Sequence, residues 1–148
     1  MKVLLYEPDI AGNVGAVIRM CACFDLELNI IEPCGFPFDE SRIRRAAMDY
    51  FEKVKIRRYD NFGDFRSENS NHRIILLTTK VNTPYHNFKF RMDDIIMVGR
   101  ESAGTPDDIQ KKVDCKVVIP MKNETRCLNV VVSLAIVVGE VMRQCQLY

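Results

Sequence analysis

Three segments of the chain combine amide, guanidinium and carboxylate side chains with glycine at spacings that can address a single ligand. The first is Asn13-Val-Gly-Ala-Val-Ile-Arg19, which follows an apolar run and opens a helical pattern. At such a junction backbone N–H groups point beyond the strand end and favour an anion. Gly15 permits the close approach of a ligand or a second backbone. Arg19, one turn further on, faces the same side. The second segment, Val98-Gly-Arg-Glu-Ser-Ala-Gly-Thr-Pro106, places Gly99, Arg100 and Glu101 at the end of another apolar run, and Gly104 and Pro106 shape a tight loop. The third, Ile119-Pro-Met-Lys-Asn-Glu-Thr-Arg-Cys-Leu-Asn129, sets Thr125, Arg126 and Asn129 against the start of an apolar helix. Each also has a plainer reading. Asn13 and Asn129 are good helix N-caps, and Arg100-Glu101 can be a surface ion pair of little energetic value. Arg19 fits the plain reading poorly, because its neighbours Val17, Ile18 and Met20 have the character of core.

The elements that must position these residues follow from hydrophobic periodicity. Strands are expected at Lys2–Tyr6, Leu28–Ile31, Val54–Ile56, Ile74–Thr78, Ile95–Val98 and Val117–Ile119. Helices are expected over Asn13–Phe24, Asp39–Met48, Asn61–Phe65 and Leu128–Gln144, with one more after Pro106. Ile74-Ile-Leu-Leu and Ile95-Ile-Met-Val are continuous apolar runs, the mark of parallel strands buried on both faces. Their alternation with helices predicts an α/β layered domain. Such sheets bind ligands beyond the carboxyl ends of the strands at a topological switch point. The loops after the first, fourth, fifth and sixth strands are therefore the ones to watch.

With 148 residues the chain has the size of one domain spanning 1–148. A hydrophobic fraction of 47% supplies a core without disulfides. Net charge is only +1, so any nucleic-acid footprint has to be local. One stretch offers it: Arg42, Arg44, Arg45, Lys53, Lys55, Arg57 and Arg58, interrupted by Asp49 and Glu52. A solvated helix face is the competing reading. Tyr50 and Phe51 within it can stack on a base or serve as core. Six cysteines have no zinc-like spacing to one another or to His72 and His86, so no metal is expected. Met1-Lys2 leads straight into a strand, and with free thiols this suggests a reducing cytoplasm. No apolar stretch approaches the roughly 20 residues of a membrane span.

Taken together, N-x-G-x-x-x-R after the first strand, G-R-E-x-x-G after the fifth, and I-P-M followed by R-x-L-N before the last helix resemble the three motifs of the SpoU/TrmH branch of the SPOUT methyltransferases. The resemblance covers essentially the whole chain. Within that branch the chain is most similar to the small tRNA wobble-nucleotide 2′-O-methyltransferases, through Leu5-Tyr-Glu-Pro8, Ile31-Glu-Pro-Cys-Gly-Phe36, Arg44-Arg-Ala-Ala-Met-Asp-Tyr50 and Leu77-Thr-Thr-Lys80.

The resemblance implies a six-stranded parallel sheet with helices on both faces and a C-terminal trefoil knot, a rare exception to unknotted topology. It implies S-adenosylmethionine as methyl donor, S-adenosylhomocysteine as product, and a homodimer in which the partner completes each site. Carried over residue by residue, the cofactor positions are Leu77, Thr78, Gly99, Glu101, Ile119, Met121, Cys127 and Leu128. Arg19, Asn13, Glu101 and Asn129 become the catalytic set. In the family the matching arginine contacts the phosphate beside the target ribose, which implies that role for Arg19, while Arg42, Arg44 and Arg45 of the basic run offer the footprint for an anticodon stem-loop. Cys127 and Val131 stand where the third motif usually carries serine, and Ala103 where the subgroup has a basic residue. Other RNA targets, a SPOUT-fold RNA-binding module with little turnover, and a flavodoxin-like nucleotide binder are the alternatives. The chain contains no Gly-x-Gly-x-x-Gly or Walker pattern to support the last.

Overall fold

The computed structural model describes residues 1–37, 40–122 and 127–146. The elements in chain order are β1 (Lys2–Tyr6), α1 (Ala11–Cys23), β2 (Glu27–Ile31), α2 (Glu40–Ala47), β3 (Ile56–Tyr59), α3 (Phe62–Glu68), β4 (Ile74–Leu77), β5 (Ile95–Val98), α4 (Asp107–Gln110), β6 (Cys115–Val117) and α5 (Val130–Cys145). Short 3-10 helices cover Met48–Lys53 and Tyr85–Asn87. All strand pairs are parallel, in the order β3-β2-β1-β5-β4-β6.

The apolar runs are continuous because both faces of the sheet are covered. Val3, Leu5, Leu28, Ile30, Ile96 and Val98 pack with Val17 and Ile18 of α1 and with Leu134, Val137 and Val138 of α5. The alternate side chains Leu4, Tyr6, Ile31, Ile74, Leu76 and Met97 pack with Phe62 and Phe65 of α3 and Ile109 of α4. From β1 the chain moves outward through β2 to β3, then crosses to build β4, β5 and β6 on the other side. The reversal lies between β1 and β5, so their carboxyl ends open a crevice.

Of the boundaries that differ from expectation, three have identifiable reasons. Helix α1 starts two residues early: Asn13 N and Val14 N both donate to Ile10 O, at 3.0 and 3.3 Å. The N-cap is Ile10, with no side-chain bond, so Asn13 is inside the first turn and its amide is free for other work. Strand β3 is Ile56–Tyr59 rather than 54–56, since Val54 ends the 3-10 helix. As an edge strand it exposes Arg57 and Arg58, which an apolar-run criterion passes over. Strand β6 is Cys115–Val117 rather than 117–119. Val118 runs past the end of β4 to pair with the loop beyond it, donating to Thr83 O and accepting from Tyr85 N, each at 2.9 Å.

Candidate active site

The loops after β1, β4, β5 and β6 and the start of α5 enclose a cleft of about 470 Å³. Its walls are largely apolar, from Leu77, Val98, Ile119, Met121 and Leu128. The loop after β5 is drawn tight: Arg100 N donates to Gly104 O at 3.2 Å and Gly104 N to Arg100 O at 2.9 Å. Two glycines make this possible. Gly104 has φ +70, and a Cβ on Gly99 would lie 2.4 Å from Thr105 Oγ1 and 2.6 Å from Gly104 C. Gly99 thus lines the cleft while packing closely against the loop's own backbone at Gly104 and Thr105.

All eight residues expected to hold a cofactor line this cleft: Leu77, Thr78, Gly99, Glu101, Ile119, Met121, Cys127 and Leu128. Asn13 and Asn129 line it as well. Thr125 and Arg126 lie outside the described residues. Lys80, Thr105, Gln110 and Ser133 were not singled out from the sequence, yet they also line it. The Leu77-Thr-Thr-Lys80 stretch was the available signal for Lys80, whose Nζ reaches Asp107 Oδ1 of α4 at 3.3 Å.

The three motif segments are joined by a relay of polar side chains. Glu101 Oε1 accepts from Asn13 Nδ2 at 2.9 Å, and Asn13 Oδ1 accepts from Asn129 Nδ2 at 3.1 Å. Asn129 Oδ1 in turn caps α5, accepting from Val131 N at 2.8 Å. The direction of the relay is fixed at both ends. A carboxylate can only accept and a backbone N–H can only donate, so each amide has one allowed orientation. The second oxygen of Glu101 accepts from Asp9 N at 2.7 Å. The Asp9 carboxylate returns the tie by accepting from Ser102 N at 3.1 Å and from the Ser102 hydroxyl. Asp9 lies outside the three motif segments and Ser102 stands at an unspecified position of G-R-E-x-x-G, so neither is marked by the pattern.

This geometry replaces the plainer readings of two motif segments and completes that of the third. Arg100 and Glu101 do not pair with each other; Arg100 forms an ion pair with Glu7. Asn13 is not a cap. Asn129 is a cap and a relay member at once. Gly15 makes a close approach, but to protein: a Cβ there would lie 2.3 Å from Ala46 Cβ on α2. Arg19 shares that side of α1 and is exposed, its guanidinium carbon 5.7 Å from the Tyr50 ring centroid. It is not among the residues lining the cleft of its own chain.

The expected basic footprint is partly neutralised. Glu27 pairs with Lys55 at 3.0 Å and with Arg57 at 3.7 Å, Glu32 pairs with Arg58, and Glu52 pairs with Arg44. Although burial opposes it, the lysines and arginine around Glu27 hold its carboxyl below the usual range. Arg42, Arg44 and Arg45 lie on the exposed face of α2, with Arg44 stacked 4.1 Å from the Phe51 ring centroid. Phe51 packs against the core. Burial pushes the Cys21 thiol up to about 12, and burial with nearby Glu32 and Glu101 pushes Cys34 up to about 11. These thiols are packing groups and not nucleophiles. Among the described residues no group of three His, Cys, Asp or Glu side chains could hold a metal, and no helix is long and apolar enough to cross a membrane.

A doubly wound parallel sheet with a preformed cleft at its switch point defines a ligand-binding α/β domain. The chain belongs to the SpoU rRNA Methylase family, whose model matches residues 1–139. It is 46% identical over 142 residues to the tRNA (cytidine(34)-2′-O)-methyltransferase of Beijerinckia indica subsp. indica, covering 95% of this chain and 89% of that protein. The enzyme of the same name from Ancylobacter novellus is 40% identical over 146 residues, covering 97% and 92%. Among solved structures, one described as "Structural insights into the 2-OH methylation of C/U34 on tRNA" superposes with a TM-score of 0.91 at 29% identity, covering 97% of this chain and 94% of that one.

Proposed function

We propose that the protein transfers a methyl group from S-adenosylmethionine to the ribose 2′-OH of the tRNA wobble nucleotide, cytidine or uridine, as a cytoplasmic homodimer. The observation that carries this reading is the relay from Glu101 through Asn13 to Asn129, which ties the three motif segments around one cleft. The names of the two relatives point to the same reaction.

The cleft fits the donor. Its volume is that of a site for a small molecule, and its apolar walls suit an adenine ring. Bound S-adenosylmethionine supplies an already activated methyl group. What remains for the protein is alignment of a weak nucleophile and stabilisation of charge around it. Leu77, Gly99, Ile119 and Cys127 hold the cofactor largely by backbone, with Thr78, Met121 and Leu128 packing beside them. Asn13 and Asn129 orient the target nucleotide, and Glu101 keeps both amides in place.

Arg19 stands outside the cleft of its own chain, so the reading places the partner subunit's Arg19 at the transfer site. A guanidinium stays protonated in proteins, so its part is to clamp the neighbouring phosphate and not to take the 2′-OH proton. The homodimer draws support from apolar side chains left exposed around the cleft and on α5: Ile10 at 49%, Leu128 at 37% and Val132 at 46%. The trefoil knot implied by the family resemblance belongs to the same reading.

The test is transfer of labelled methyl from S-adenosylmethionine to unmodified tRNA, with nucleoside mapping of the product. A 2′-O-methylated wobble nucleotide is the expected result, and label at another position or none overturns it. Arg19→Ala should abolish transfer and leave cofactor affinity unchanged by calorimetry. Near-normal turnover in that variant would refute the role given to Arg19.

A further inference from the structure

Most arginines whose partners are described end on carboxylates. Arg57 reaches Glu27 and Glu68, Arg66 reaches Asp114, Arg73 reaches Asp94, Arg143 reaches Glu140, and Arg44, Arg58 and Arg100 pair with Glu52, Glu32 and Glu7. Arg19 is different. No carboxylate among the described residues pairs with it, and its guanidinium lies instead 5.7 Å from the centroid of the Tyr50 ring. Lys53 Nζ stands 5.1 Å from the same centroid. Tyr50 is half-buried, while Arg19 and Lys53 are exposed.

The arrangement depends on the helix contact described above. Gly15 presses α1 on α2 so closely that a Cβ would meet Ala46 Cβ at 2.3 Å. That approach sets the 3-10 helix after α2 beneath Arg19, one turn beyond Gly15. A carboxylate partner would occupy the guanidinium N–H groups. An aromatic face attracts the cation through its quadrupole and leaves those donors unspent. Lys53 Nζ also lies 3.7 Å from Asp49 Oδ2, so of the two cations beside the ring it is Arg19 that has no carboxylate among the described residues, and an RNA backbone brings the anion it lacks.

We propose that Tyr50 is a positioning residue for Arg19, holding the guanidinium with its donors free so that it meets the phosphates of a single-stranded RNA loop. This rests on the reading of Arg19 as an RNA ligand. Tyr50 acts through Arg19 and makes no stacking contact with a base of its own.

The experiment is a double-mutant cycle on tRNA affinity, measured by fluorescence anisotropy on the full chain with cofactor affinity in parallel. Tyr50→Phe keeps the ring and should bind tRNA as the unaltered protein does. Tyr50→Leu should weaken tRNA binding about two- to five-fold, the range for an exposed cation–π contact, with cofactor affinity intact. In an Arg19→Ala background Tyr50→Leu should have no further effect. If the two losses multiply, Tyr50 touches RNA independently and the proposal is wrong. It is also wrong if Tyr50→Leu binds tRNA normally. Should Arg19→Ala alone leave both tRNA binding and transfer intact, the reading of Arg19 beneath it falls as well. A measurement on the unaltered protein guards against misfolding of a variant: Arg19 side-chain protons should show upfield ring-current shifts by NMR, and their absence refutes the contact.

Discussion

Replacing Glu101 with glutamine tests whether the relay is directional. The substitution keeps shape and removes one of two acceptor oxygens. Glu101 now receives Asp9 N at 2.7 Å and Asn13 Nδ2 at 2.9 Å, both donors, so the new amide nitrogen must face one of them. If it faces Asn13, that amide has to rotate and present its nitrogen to Asn129 Nδ2. Asn129 then rotates in turn and points a nitrogen at Val131 N, which it now caps at 2.8 Å. No arrangement satisfies every group. A hydrogen bond to a charged group contributes about 1.5–3 kcal/mol. Asn129 is exposed and water can serve its end, so the expected loss is near the lower limit, about 1.5 kcal/mol. For a chain of this size that corresponds to roughly 3–6 °C in Tm. Asn13→Asp alone should also destabilise, by setting two carboxylates 2.9 Å apart at the present Nδ2–Oε1 contact. Both changes together restore every donor to an acceptor, because the new amide donates to the new carboxylate, which still accepts from Asn129. Urea denaturation of the four proteins, with calorimetric binding of S-adenosylhomocysteine, gives the cycle. Recovery of more than about 1 kcal/mol in the double variant is expected. Simple additivity would refute the directional argument.

Three further outcomes follow from other contacts. Gly15→Ala should destabilise by about 1–3 kcal/mol in urea, because the added methyl meets Ala46 Cβ at 2.3 Å and backbone atoms at 3.0 Å; an unchanged midpoint would show that α1 and α2 yield freely. Thiol alkylation at pH 8 followed by mass spectrometry should modify exposed Cys23 and Cys127 first and spare Cys21 and Cys34, whose burial holds the thiols near 12 and 11. S-adenosylhomocysteine should then protect Cys127 alone, since Cys127 lines the cleft. Glu140 is held down to about 2 by hydrogen bonds from Arg143 and Gln144, against an ordinary value of 4.5. A carboxyl depressed on folding stabilises fully above its unfolded value and loses that contribution as pH falls toward the folded one. Glu140→Gln should therefore lower the urea midpoint at pH 6 and have little effect near pH 2; equal losses at both would exclude the ion pair as the cause.

The buried strands were readable because covering both faces of a parallel sheet leaves an unbroken apolar run, as in Ile95–Val98. An edge strand escapes that rule. Arg57 and Arg58 sit in β3 with their charges answered by Glu27, Glu68 and Glu32 from other elements. Periodicity likewise gives the side of α1 on which Gly15 and Arg19 lie, but what stands on that side is decided by tertiary packing. The neighbour proved to be α2 and the Tyr50 ring rather than the cleft.

The asparagines show a different limit. Cap preference ranks Asn, Asp and Ser together at a helix start, so position alone could not say whether Asn129 caps α5 or serves the site. It does both, because one planar amide carries an acceptor and a donor on the same carbon. Its oxygen takes Val131 N, and its nitrogen gives to Asn13, which repeats the same transfer toward Glu101. An aspartate cap would place two acceptors face to face at the Asn13 contact. A serine would cap equally well but falls short of the span. The residue type is therefore set by the relay and not by the helix. That requirement becomes visible only when residues 116 positions apart in the chain are seen in contact.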